Sequence, residues 1–253
     1  MTDVSLAQAR GEVWLPSTPV STMEQAAGFV DSLGGVLLFP IDRVEAPSLW
    51  EAVARADAEP FADGMGGPES LLWTWKDELP RQSLAWYGKF LFRRGSLLSP
   101  RLLAALYPGA GEPTDHQSLD LSGEAHEIAE TLVGGPLAST ALREIIGDRS
   151  RYERAIVELH RCLLVTSSGV LTQRAGWPAA VIDLTCRLFD VGGDHDPEYA
   201  TRRFLDTQLV TTARELSRAF GWPPPTAREH LDRLVAAGVA RPADGGRYRR
   251  VDS

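Results

Sequence analysis

Between Gly135 and Trp177 the spacing of apolar positions changes twice. Leu137, Leu142, Ile145 and Ile146 give a short helix one apolar face, and Gly147 stops it. Asp148-Arg149-Ser150 then supplies a turn and an N-cap. In the longer helix that follows, Tyr152, Ala155, Ile156, Leu159 and Leu163 recur at helical spacing as one buried stripe. Leu164-Val165-Thr166, a Ser-Ser-Gly turn and Val170 to Gln173 suit a β-hairpin. Helix, turn, helix and wing is a winged-helix pattern, and it points toward nucleic acid.

The rest of the chain supplies a second copy and a less regular first half. Residues 1–21 read as an irregular arm. Thr22 with Gln25 resembles a capping box, opening a helix that Gly34-Gly35 ends after Leu33. Val36 to Phe39 reads as a buried strand, Pro47-Ser48 opens a helix to about Ala56, and residues 57–70 read as loop. Trp73 and Trp75 stand at strand spacing. Ser99-Pro100 caps a helix through Tyr107, residues 108–121 form a linker, and Ser122 starts a helix to about Val133. Pro178 opens an expected helix through Phe189. From Pro197 the cycle recurs: a helix to about Leu209, a short helix capped by Thr211 or Thr212, a Gly221-Trp222-Pro223 turn, a helix capped by Thr226, and a wing from Val239-Ala240-Arg241 and Arg247 to Val251. A repeat at roughly 75-residue spacing predicts tandem winged-helix modules in a mainly α chain with small β wings, an α+β class. The expected divisions are an α/β unit at 20–110, with a divergent winged helix as one option, and winged helices at 122–190 and 196–253.

Charge qualifies the nucleic-acid reading. The 253 residues carry a net charge of −8, with 43% hydrophobic and 24% charged residues, those of an ordinary globular protein. Residues 1–140 hold 9 basic against 19 acidic side chains, and residues 141–253 hold 17 against 15. The acid is therefore concentrated away from the winged helices. A slight positive balance there still argues against tight non-specific binding, because duplex affinity rises with the number of phosphates neutralised. No apolar run is long enough to span a membrane, and the first residues, without a basic start or an apolar core, do not read as a signal peptide. Cys162 and Cys186 read as buried free thiols, and a cytoplasmic location is expected.

Arg151, Arg154 and Arg161 fall on the outer face of the helix after Ser150 and suit guanine edges or phosphates. The competing reading is a solvated face in which Glu158 pairs with Arg154 and Arg161. Arg149 and Arg174 flank that helix and its wing. In the second module Arg228 stands beside Glu229 and Asp232, while Arg247, Arg249 and Arg250 could follow a phosphate backbone from the wing. Aromatics interleaved with Lys89, Arg93 and Arg94 could instead stack bases. Asp77 and Glu78 are adjacent carboxylates among aromatics, where desolvation suits acid–base work; the alternative is a salt bridge with Lys76 or Arg81. The five histidines show no ligand spacing, Asp194-His195-Asp196 needs only to be loop, and neither a metal nor a cofactor is expected.

Three stretches carry a family resemblance: PSLWEAVARA at 47–56, LLWTWKDELP with the following WYGK at 71–89, and RYERAIVELHRCLLV with GVLTQRAGW at 151–177. They resemble bacterial winged-helix proteins related to the crosslink-repair, or alkylpurine, DNA glycosylases. The resemblance implies winged-helix modules that bind duplex DNA, with N-glycosidic hydrolysis in the enzymes and no metal or cofactor. Those enzymes carry a Gln-x-Gln or Gln-x-Asp pair near the N-terminus. Here Gln8, Gln25, Gln82, Gln117, Gln173 and Gln208 are followed two places on by Arg10, Ala27, Leu84, Leu119, Ala175 and Val210, so the pair is missing. The expected function is duplex DNA binding without that pair. The alternatives are a glycosylase using Asp77 or Glu78, and a regulator whose first half senses a ligand or partner. Oligomeric state is left open.

Overall fold

In the computed structural model, which describes residues 3–54, 59–62, 64–172 and 178–251, one order of elements occurs three times. A helix leads into a short strand, two further helices follow, and a β-hairpin closes the unit. The first copy is α2 (Met23–Leu33), β1 (Gly35–Leu37), α3 (Leu49–Ala54), α4 (Gly67–Arg81), β2 (Trp86–Lys89) and β3 (Gly95–Leu98). The second is α6 (Gly123–Val133), β4 (Leu137–Ala138), α7 (Ser139–Ile146), α8 (Arg149–Arg161), β5 (Val165–Leu171) and β6 (Ala179–Leu184). The third is α10 (Pro197–Gln208), β7 (Val210–Thr212), α11 (Ala213–Phe220), α12 (Pro224–Ala236), β8 (Ala240–Ala243) and β9 (Arg247–Arg250). Outside this pattern lie α1 (Asp3–Trp14), α5 (Pro100–Leu106) and a single turn, α9 (Thr185–Leu188).

Each antiparallel sheet places its last strand in the middle: β1-β3-β2, β4-β6-β5 and β7-β9-β8. The registers run Gly35↔Leu98↔Trp86, Leu137↔Ile182 with Val165↔Leu184, and Val210↔Arg249 with Ala240↔Arg250. This is a mainly α chain of tandem winged-helix units with small β wings. The first half is thus a third copy of the unit, disguised by its long connections.

Local chemistry accounts for the boundaries. Thr22 with Gln25 and Thr212 with Glu215 form reciprocal capping boxes, so each helix start satisfies its own backbone donors. Gly147 and Gly221 end α7 and α11 in the left-handed region, at φ 73° and 74°.

Several expectations from the sequence are corrected. Trp73 and Trp75 lie in helix α4, where residues two apart point to opposite sides; Trp75 is buried and Trp73 is 41% exposed. The Ser-Ser-Gly segment is a bulge within β5, where the register shifts between Ser167 and Gly169. Strand β5 runs on to Leu171, Gln173 lies outside the described residues, and the expected helix from Pro178 is the central strand β6 followed by the one turn of α9. Val181 and Ile182 suit the pleat better than a helix. Helix α12 starts at Pro224 rather than after Thr226, because proline's fixed φ suits a first turn. The N-terminal arm is helical. Arg10 of α1 donates to the carbonyls of Gln208 (3.0 Å) and Val210 (3.2 Å), and Trp14 Nε1 donates to Thr207 O at 2.6 Å. Arg10 also pairs with Glu45, so the arm ties the third copy to the first.

One large apolar cluster crosses all three copies, from Trp86 and Phe90 through Leu132, Leu142, Leu159 and Ile182 to Phe220 and Leu231. A second fills the first copy around Trp50, Leu72 and Leu79. Cys162 and Cys186 are free and half-buried, and burial pushes both thiols up in pKa. No described helix is long and apolar enough to cross a membrane.

Candidate nucleic-acid interface

Helix α8 is positioned by its buried stripe and by Asp148, whose carboxylate accepts from Arg151 N at 2.7 Å. Its outer arginines have different fates. Arg149 pairs with Glu153 at 2.8 Å, which holds the glutamate below its usual pKa, and Arg151 pairs with Glu124 of α6. Arg154 donates to Ser150 Oγ at 2.7 Å and makes no ion pair among the described residues. Arg161 departs from the expected outer face and turns inward. Its Nη1 donates to Phe90 O at 2.6 Å, and its guanidinium lies 5.4 Å from the Phe90 ring. Burial, with the neighbouring charge of Arg93, lowers its pKa.

Arg154 and Arg161 open onto a groove of about 830 Å³ between α8, the wing of the first copy and the turn before α12. The first-copy wing brings Lys89 and Arg93 to the same groove, and the turn brings Gly221 and Trp222. Behind the groove the buried Phe90 and Phe220 rings lie tilted at 6.0 Å between centroids, and Trp222 meets Phe220 edge-on at 4.9 Å. Its carboxylates are already engaged: Glu153 by Arg149, and Glu158 by the backbone N–H (2.8 Å) and hydroxyl of Ser122. Four cations therefore meet in one concavity of an acidic chain, beside aromatic surface. Such a lining suits an anion carried on a planar scaffold.

Of the other arginines singled out in the sequence, Arg228 is exposed among acids. Its neighbour Glu229 pairs with Arg233 at 2.6 Å, and Asp232 accepts from Tyr248 Oη at 2.7 Å. Arg250 lies 3.4 Å from Asp206, Arg249 is half-buried, and Arg247 faces a separate cavity shared with Arg10 and Glu215. Arg174 lies outside the described residues. Proximity alone picks out Lys89 and Arg93, which the sequence offers only as basic residues among aromatics.

Asp77 and Glu78 stand on the third helix of the first copy, but that helix is covered by β5. Asp77 is 4% exposed; Lys76 Nζ donates to its Oδ2 at 2.7 Å and Ser167 Oγ to its Oδ1 at 2.5 Å. Lys76 Nζ also lies 4.9 Å from the Trp73 ring and 5.6 Å from that of Tyr87. Burial, with the nearby Asp77 carboxylate, pushes the Tyr87 phenol above its ordinary pKa. Next to this joint, Thr166 Oγ1 donates to Tyr87 O (2.8 Å) and accepts from Tyr87 N (3.2 Å). Glu78 points elsewhere and holds Arg81, which lowers its pKa. Both carboxylates are engaged, and neither faces the α8 groove.

The family model described as "AlkZ related" matches residues 20–216. Among solved structures, Streptomyces sahachiroi DNA glycosylase AlkZ superposes with a TM-score of 0.55, covering 97% of this chain and 68% of its own, at 18% identity. That likeness is one of fold. No curated protein matches the chain. The matched residues contain all of the first two copies and reach the second helix of the third, and on this ground the chain belongs to the AlkZ-related family.

Proposed function

We propose that this protein binds duplex DNA along the α8 groove and does so without the glutamine pair of the related glycosylases. The observation that carries the proposal is the convergence of Lys89, Arg93, Arg154 and Arg161 beside Trp222, with the groove's carboxylates already engaged. A net charge of −8 opposes non-specific adsorption, so a local cationic groove is what remains to attract a phosphate backbone. The engaged state of Asp77 and Glu78 supports structural roles, Asp77 in the joint with β5 and Glu78 in an ion pair within α4, rather than the activation of water. AlkZ is named a DNA glycosylase, and its likeness supports nucleic acid as the partner while leaving the chemistry to the residues present.

Anisotropy titration of a labelled duplex at about 50 mM salt tests this reading, because phosphate contacts weaken steeply with salt. Lys89→Ala and Arg154→Ala are chosen because both side chains are exposed. Each is expected to weaken binding about 3- to 10-fold across unrelated sequences and to reduce the salt slope by about one. Absence of binding by the wild type, or a double variant with wild-type affinity, refutes the proposal.

A further inference from the structure

The histidines are scattered along the sequence, and no metal was expected from their spacing. The fold brings two of them together. His116 lies in a 3-10 turn (Asp115–Ser118) before α6, and His126 and Glu130 follow one turn apart on α6 itself. One ligand atom from each lies within 4.8 Å of the others. We propose that His116, His126 and Glu130 form a binding site for a divalent cation of the zinc class.

The His116 ring carries the argument. It is 1% exposed, and both of its nitrogens face acceptors: Nδ1 the carbonyl of Pro113 at 3.2 Å, Nε2 the Glu130 carboxylate at 2.9 Å. A neutral imidazole has a single N–H and satisfies one of these contacts, whereas an imidazolium, or a neutral ring with a cation at Nε2, satisfies both. A cation at Nε2 takes the place of the second proton. Nδ1–H then donates to the Pro113 carbonyl, the arrangement in which metal-bound histidines are usually held. The His126 ring sits 5.0 Å from that of His116, a spacing at which a shared cation joins them and two imidazolium charges repel.

The ligands are also held in advance. Asp115, next to His116, accepts from the backbone N–H groups of Ala110 (3.0 Å), Gly111 (2.9 Å) and Glu112 (2.9 Å), and from Tyr107 Oη (2.9 Å). That knot fixes the turn, and burial keeps the His116 ring from rotating away. Ligand atoms around a tetrahedral zinc at about 2.0–2.2 Å stand roughly 3.3 Å apart, so the 2.9 Å contact opens by a few tenths of an ångström. Two imidazoles and one carboxylate favour Zn²⁺, Co²⁺ or Ni²⁺ over Mg²⁺ or Ca²⁺, which prefer oxygen. With His126 and Glu130 exposed, the fourth position faces solvent and takes water. The bound ion pins residues 108–121 to α6, between the first and second copies.

The test is calorimetric titration of Zn²⁺ into tag-free, chelator-treated protein, with Co²⁺ absorption as a second readout. The expected result is one ion per chain with a dissociation constant of about 10 μM or tighter, and a visible band of tetrahedral Co²⁺. His126→Ala and Glu130→Gln, both at exposed positions that leave the core intact, are each expected to weaken binding at least about a hundredfold. Absence of one-to-one binding in that range, or binding that survives His126→Ala, overturns the proposal whether or not the protein binds DNA.

Discussion

Replacing Asp77 with alanine leaves the Lys76 ammonium, whose side chain is 11% exposed, without its carboxylate. Breaking a buried ion pair from one side costs about 3–5 kcal/mol, because the remaining charge stays desolvated. The Trp73 and Tyr87 rings retain some stabilisation of the cation, and Ser167 can redirect its hydroxyl to Gly169 O at 3.4 Å. Both effects favour the lower end, about 3 kcal/mol, or a Tm lowered by roughly 6–12 °C for a chain of this size. If burial of the unpaired charge is the cause, removing the charge as well must restore stability. Lys76→Met in the Asp77→Ala background is therefore expected to recover about 2 kcal/mol, measured by urea unfolding at neutral pH. An Asp77→Ala variant within about 1 kcal/mol of wild type refutes the reasoning, as does a double variant no more stable than Asp77→Ala alone. An acid–base role for Asp77 predicts the opposite pattern, a loss of activity with little loss of stability.

Two further outcomes follow from groups near the groove. His160 is fully buried against Trp86, and burial, with the charge of Lys89 adding to it, lowers its pKa from 6.5 to about 3. The native ring stays neutral while the unfolded chain takes up a proton below about 6.5, so this stability is whole above that pH and falls as pH drops toward 3. Between pH 7 and about 4.5 it amounts to roughly 3 kcal/mol, and urea midpoints of His160→Leu should lack that part of the wild-type pH dependence; parallel pH profiles refute it. Gly221 sits at φ 74°, and a Cβ there would collide with the Arg161 guanidinium. Gly221→Ala is expected to cost about 1–2 kcal/mol from backbone strain, with an additional cost from displacing Arg161. In an Arg161→Ala background the additional cost should vanish; an equal cost in both backgrounds rejects the contact.

What was legible in the sequence was mostly local. Capping at Thr22, Ser99 and Ser122, the glycine stops at Gly34, Gly147 and Gly221, and the stripe on α8 each depend on residues within a few positions, and each placed an element correctly. The failures share one cause, which is that partners distant in sequence decided them. β4 is two residues long and exists because β6 pairs with it, so Leu137 read as part of a helical face. Strand β6 reads as a helix in sequence because Val181, Ile182, Thr185 and Phe189 fall at helical spacing, and only its pairing with β4 and β5 reveals the strand. Helix α1 has no apolar stripe to announce it; its order comes from Arg10 and Trp14 reaching carbonyls about 200 residues away. The candidate groove was half legible for the same reason. Arg154 follows from the α8 pattern, whereas its companions Lys89 and Arg93 arrive from a wing in another copy.

The third helices of the three copies differ in what they leave free, and this places the candidate groove at the second. In the first copy α4 is buried beneath β5, and two polar residues of WKDELP are taken up in that joint, Lys76 donating to Asp77 and Ser167 of β5 donating to Asp77, while Glu78 holds Arg81 within α4 itself. In the third, the outer face of α12 is exposed, but Arg228 stands beside Glu229 and Asp232, whose carboxylates offset its charge. Only α8 combines an exposed face, a cation without an ion pair among the described residues, and basic side chains brought in from an adjoining wing. The three copies share one topology but divide its use: one third helix builds the interface between copies, one faces solvent with balanced charge, and one lines the groove. A motif's specificity in sequence is thus no guide to its chemistry, because the most distinctive block in this chain is spent on holding two copies together.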